Sequence, residues 1–357
     1  MQEAGLVLVI LALCLLLTFA GGNITIRGHV VNNFFRPDNL LTNVLTPMSW
    51  MAIMAVGVTC VVVAGGIDIS VGSIFGLSAL ACAAVLQTLG ENAPAWKVLP
   101  IAVIVPCGVG LICGLINGGL VVGLRMHPFI VTLATMSIFR GIALISVKSG
   151  SLPSAGGVLP VAFTDNLLMY TVRYAPVGKM PVNLQPVPML AMLAVAIVGA
   201  VYLGLLIMGR ENYAVGGNEE AARFSGIPIG RVKLRVYAIS GLCAGIAGMV
   251  NCGYYGSAAT NTGEGYELMV IAAVAVGGAS LSGGRGTALG AVLGAMIIQL
   301  IDNGIFILKQ INLGFMEISF SKEYSKIIIG IAILLAVTVD QLSEYFRRRR
   351  ARGRGAA

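Results

Sequence analysis

Charge is what this 357-residue chain has least of: 11% of its residues are Asp, Glu, Lys or Arg, against about 25% in average soluble domains. Hydrophobic residues make up 57%. A soluble fold of this length cannot hide that much apolar surface, so lipid is one of its solvents. This excludes a soluble enzyme, a secreted disulfide scaffold and a disordered tail protein. Histidine is scarce, with His29 and His127 far apart. There is no HExxH, no zinc spacing and no G-x-x-x-x-G-K-[ST] loop; Gly178-Lys179 lacks the rest of that motif. No catalytic residue, metal ligand or cofactor is therefore expected. The seven cysteines all lie in apolar segments without a CxxC pair, and read as small buried hydrophobes.

What the chain has is apolar runs. A membrane-spanning helix needs roughly 20 apolar residues, and about ten such spans use up the chain. They read as 4–21, 41–64, 72–89, 99–123, 128–147, 187–208, 235–254, 267–282, 287–308 and 325–345. The runs are continuous and do not alternate, which favours helices over a β-barrel. The expected fold is an all-α polytopic membrane protein, one transmembrane domain over 1–357. The first run competes with a signal peptide, but Met1-Gln2-Glu3 carries no Lys or Arg.

Basic residues set the expected orientation. The tail 347–357 holds Arg347 to Arg350, Arg352 and Arg354, and the loop 209–235 holds Arg210, Arg223, Arg231, Lys233 and Arg235. Both are expected inside, with both termini cytoplasmic. The net charge of +8 is explained by this clustering at span ends and by contact of the tail with anionic lipid; nucleic acid is not an expected partner. Trp50 and Trp96 read as interface anchors. The outer loop 149–185, with four prolines, reads either as a docking surface or as a solvated connection.

Three patterns carry more information. Gly65-Gly66-Ile67-Asp68-Ile69-Ser70-Val71-Gly72-Ser73 ends one helix and offers Asp68 and Ser70 as caps for the next. It reads either as a capped surface turn or as a break inside a membrane helix. Gly277 to Gly284 repeats its Gly-Gly-x-x-x-Ser-x-Gly spacing. Gly110, Gly114 and Gly118 fall on one helix face, and Gly286, Gly290 and Gly294 on another, as close helix packing requires. The segment 216–228 specifies an isolated two-turn helix: Asn218 caps it, Glu219 and Glu220 fill its first turn, Ala221, Ala222 and Arg223 propagate it, and Gly226 with Pro228 ends it. A helix that short is unstable alone and needs a surface to lie on, either this protein's own or a partner's. Arg140 sits deep in a span, where insertion costs roughly 2.5–3.5 kcal/mol.

Residues 65–73 resemble the GGIDLSVGS signature of the ribose/xylose/arabinose/galactose permease family. Pro128 to Met136 with Phe139-Arg140-Gly141 resembles its PFIVTLGTM segment and the aromatic-Arg-Gly that follows. Gly216 to Gly226 resembles its GGNEEAARLSG loop, and Gly263 to Leu268 with Gly277 to Gly286 its GTGYEL…GGTSLSGGRG stretch. The resemblance implies an ATP-binding-cassette importer permease for a monosaccharide in the bacterial cytoplasmic membrane. It implies a second permease subunit (identical or a paralogue), two ATP-binding subunits or one fused double ATPase, and an extracytoplasmic sugar-binding protein. It makes Gly217, Asn218, Glu219, Glu220, Ala221, Ala222, Arg223, Ser225 and Gly226 the coupling element. Asp68, Ser70, Asn117, Thr132, Thr135 and Arg140 are the candidates for the translocation path. The alternatives are an importer permease for a nucleoside, branched amino acid or furanone, and an ion-coupled secondary transporter, for which Asp68 and Asp302 are the available carboxylates.

Overall fold

The computed structural model describes residues 2–338 except 27–28, 155–156, 175–181, 309, 313–316, 320–323, 326, 333 and 336–337. Its helices, in chain order, are α1 (Gln2–Ala20), α2 (Thr46–Val63), α3 (Val71–Leu86), α4 (Ala95–Gly123), α5 (Pro128–Ser146), α6 (Pro186–Gly204), α7 (Ile207–Gly217), α8 (Glu219–Phe224), α9 (Ile229–Tyr255), α10 (Tyr266–Val276) and α11 (Ala288–Ile307). A π-helical segment, Asn39–Leu45, lengthens α2 to a continuous 25-residue rod. Among the described residues, eight helices are long and apolar enough to cross a membrane. Among the described residues, sheet is confined to two-stranded pairs.

The helix pattern follows its punctuation. Pro stands at the first or second position of α2, α5 and α6, where a missing N–H is harmless. His127 caps α5 as an extended residue. Gly-Gly ends the run before Ile67, and again after Val276.

α9 is the axis of the bundle, packed against α4, α2 and α3. α2 is buried on nearly all sides. The α4–α9 seam is a zip of small residues: Gly110, Gly114 and Gly118 meet the backbone of Gly241, Tyr237 and Leu234, leaving no space for a side chain. Helix backbones at this separation gain dispersion along their whole length. The opposite face of α4 exposes Ile104, Ile112 and Ile116, as a lipid-facing surface does.

Several expectations need correction. The span expected at 267–282 is a half-length helix of 11 residues, α10, because Gly277-Gly278 breaks it. Residues 207–217, read partly as loop, form α7; Gly209 packs against the Tyr202 carbonyl and Val215 is buried. Gly286 precedes α11, so Gly290 and Gly294 alone share its face. Trp50 is no interface anchor: it is buried against Tyr254 and Tyr255, and its Nε1 donates to the Tyr266 hydroxyl at 3.2 Å. Trp96 is exposed. The loop 149–185 is partly folded onto the bundle, with Phe163 and Leu168 buried against Gly253 of α9. About half of the tenth span is described and is helical (residues 325, 327–332, 334–335 and 338), while the basic tail lies outside the described residues.

Candidate functional site

Two sites converge from the segments singled out in the sequence. The first is α8. Asn218 is extended (φ −161°), and its side chain accepts from the Ala221 amide at 2.9 Å. Glu219 accepts from Lys233 of α9 at 2.7 Å and from Arg223 at 3.3 Å. Ala222 points inward and is buried among Val215, Val232 and Ile227. The chain leaves through Gly226 in the left-handed region (φ +81°), with Ile227 N–H donating to the Ala222 carbonyl at 3.1 Å. One apolar side chain thus seats the helix, while Glu220, Ala221, Arg223 and Ser225 face solvent. So does Phe224, 84% exposed. Sequence reasoning passed over Phe224 because an aromatic beside Ser225 reads as helix filler. Its exposure on an otherwise seated helix is the signal.

α8 is joined to both Gly-Gly segments. Gly216, at the end of α7, lies against the Val63 carbonyl at the end of α2, so closely that a Cβ would overlap it. Gly284 N–H donates to that same carbonyl at 2.9 Å. Gly283 packs on Gly216 and Gly65. The Tyr213 hydroxyl donates to the Gly286 carbonyl at 2.6 Å, and burial raises its phenol above the ordinary value. Three segments far apart in sequence therefore meet backbone to backbone.

The second site surrounds Asp68, which is fully buried. Its Oδ1 accepts from the Ser70 amide at 3.0 Å and hydroxyl at 2.7 Å, and its Oδ2 accepts from the Ser240 hydroxyl at 2.7 Å. Ser70 Oγ in turn accepts from Asn117 Nδ2 at 2.7 Å. The Tyr237 hydroxyl donates to the Ile67 carbonyl at 3.1 Å, and Thr132 to the same oxygen at 3.3 Å. Ser240 is the twelfth residue of α9, about 17 Å along it at ~1.5 Å per residue. The segment 65–70 therefore packs inside the bundle against α9, with Asp68 and Ser70 buried, rather than forming an exposed turn. A carboxyl buried there requires donors, and each bond to it contributes about 1.5–3 kcal/mol if the group is charged.

The remaining candidates separate. Thr135 bonds only locally, to the Thr132 carbonyl at 3.3 Å. Arg140 is half-buried and belongs to neither cluster: its Nη1 donates to the Thr262 carbonyl at 2.7 Å. Ser240 and Tyr237 were not singled out from the sequence; no local pattern marks a serine and a tyrosine in an apolar helix. Among the described residues no group of His, Cys, Asp or Glu is arranged to hold a metal ion.

Residues 40–337 match the family model described as "Branched-chain amino acid transport system / permease component". The chain is 35% identical to the ribose import permease protein RbsC of Escherichia coli (strain K12) over 317 residues, 89% of this chain and 90% of that one. It is 36% identical to RbsC of Bacillus subtilis (strain 168), over 87% of this chain and 86% of that one. It is also 36% identical to the galactose/methyl galactoside import permease protein MglC of Escherichia coli (strain K12), over 87% and 88%. No solved structure matches at a significant level. The apolar helices and the match over most of the chain agree, and the chain belongs to this family of membrane permease components.

Proposed function

We propose that this protein is the membrane-spanning subunit of an ATP-binding-cassette importer for a monosaccharide such as ribose or galactose. ATP is hydrolysed in a partner chain, which rests on α8. The complex comprises two permease subunits, identical or paralogous, with two ATP-binding subunits or one fused double ATPase. An extracytoplasmic sugar-binding protein delivers the solute, and α8 and both termini lie on the cytoplasmic side.

The observation that carries this reading is the joint behind α8. A helix seated by one alanine and one ion pair to α9, with its outer face exposed, is built to receive another protein. Because Gly216 lies directly on the Val63 carbonyl, displacement of α8 shifts the end of α2 and the break at 65–70 with it. On this reading Asp68, Ser70, Asn117 and Thr132 serve the translocation path as a polar lock between α3, α4, α5 and α9. The lock is closed in the conformation described, and switching between two packed arrangements opens it. Thr135 stays with the lock as a neighbour on α5.

The family description favours a second reading, a branched-chain amino acid as the solute. The relatives similar over nearly the full chain are named for ribose and galactose, and support sugar.

The test is purification from the native host in mild detergent, with mass spectrometry of what accompanies the protein. A stoichiometric P-loop ATPase, lost in Phe224→Asp, is the expected result. A solitary oligomer in several detergents sinks the subunit reading. ATP-driven uptake of leucine but not of ribose or galactose by the reconstituted complex decides for the second solute.

A further inference from the structure

Asp68 is fully buried with no cation to answer its charge. Among the described residues its donors are the Ser70 amide, the Ser70 hydroxyl and the Ser240 hydroxyl, all neutral. No ion pair among the described residues involves it. The ionisable side chains close enough to feel it, Cys113 and Tyr237, carry no positive charge in any state. Neutral donors lower the cost of burying a carboxylate but leave its net charge in place.

Two further polar atoms at this place are unanswered among the described residues. Asn117 is fully buried; its Nδ2 donates to Ser70 Oγ at 2.7 Å, while its Oδ1, on the same carbon, meets no donor. Ser73, one turn along α3 from Ser70, is also fully buried, and its Oγ has no partner. Buried polar atoms of a native fold are nearly always paired. A proton on Asp68 answers the charge alone and leaves Asn117 as it is. A small cation answers both, because it draws on several oxygens at once.

We propose that this cluster seats a single alkali cation, held by the Asp68 carboxylate, the Ser70 and Ser240 hydroxyls and Asn117 Oδ1. A serine hydroxyl offers lone pairs as well as a proton, so both serines can serve the ion while still touching the carboxylate. Oxygen ligands select hard cations. With one carboxylate, a monovalent ion brings the cluster to neutrality, whereas a divalent ion leaves a buried positive charge. The lack of a His, Cys, Asp and Glu group among the described residues bears on transition metals and not on alkali ions. The ion ties Ser240 of α9 to Asn117 of α4 and to Ser70 at the start of α3, and so stabilises the arrangement described. The inference rests on the cluster alone and is independent of the import reading.

The test melts the full-length protein in mild detergent with NaCl, KCl or choline chloride, each at about 0.15 M so that screening is equal. A ligand that binds only the folded chain raises the melting temperature. At least one alkali chloride is expected to raise it, saturably, by about 2 °C or more over choline, and the more effective salt names the ion. Asp68→Asn keeps the shape and removes the charge, and is expected to abolish the difference. Asn117→Ala is expected to raise the half-saturating concentration of that ion severalfold. Each variant is compared with itself across salts, so a general loss of stability cancels. Equal melting in all three salts overturns the site, as does an alkali effect that survives in Asp68→Asn. Should Asp68→Asn not fold, the salt series on the unsubstituted protein and on Asn117→Ala decides, and an unchanged half-saturating concentration in Asn117→Ala overturns the site.

Discussion

Ser240 shows what a single buried hydroxyl contributes inside the bundle. It donates to Asp68 Oδ2 from 172 positions away in the chain, and without it that carboxylate oxygen has no other bond within the described residues. Leaving a buried acceptor unsatisfied costs about 1–3 kcal/mol. Ser240→Ala is therefore expected to lower the melting temperature of the purified protein by several degrees. Ser240→Thr, which keeps the hydroxyl, is expected to lose less; equal losses would show that packing rather than the bond matters. Asp68 and Ser70 were legible in the sequence because they share one nine-residue segment with its own turn residues. Ser240 and Tyr237 were not, since their role arises from the α3–α9 contact alone. Arg140 was legible as a misplaced cation, while its partner, a backbone carbonyl, has no residue signature.

Among the elements, α8 was the most legible, because capping is local chemistry. Asn218, the acidic first turn, Gly226 and Pro228 act within one segment, and the observed helix Glu219–Phe224 obeys them. Removing the cap side chain costs about 1 kcal/mol, and a six-residue helix has little reserve against that loss. Asn218→Ala is expected to reduce ATP-driven uptake severalfold while the yield of folded protein is retained. Asn218→Asp, which preserves the cap, is expected to restore most of it. Unimpaired uptake in the alanine variant would mean that α8 need not be preformed. α7 and α10 were less legible. α7 carries Arg210, Glu211 and three glycines, a loop composition, and folds because Asn212 and Val215 find buried partners in the bundle. α10 looks like a full span because apolar composition continues past the Gly-Gly that stops the helix.

At the scale of the molecule, composition alone fixed the class, and the glycine spacing on α4 anticipated the seam with α9. The arrangement of helices around α9 was not legible, because apolar side chains pair with any apolar neighbour and specify no partner. The proposed orientation rests on the basic loop around α8 and is open to direct measurement. Glu220→Cys is expected to react with a membrane-impermeant maleimide in inside-out vesicles and not in intact spheroplasts. The reverse pattern would invert every sidedness assignment made above.

The contact between Gly216 and Val63 has a further consequence. It is made of main-chain atoms alone, so it holds whatever side chains the neighbouring helix displays. On the proposed reading, the outer face of α8 is free to drift in sequence, and with it the choice of ATPase, without retuning the joint behind it. Partner choice and the proposed transmission of movement would then be carried by different atoms, and one could be exchanged while the other stays fixed.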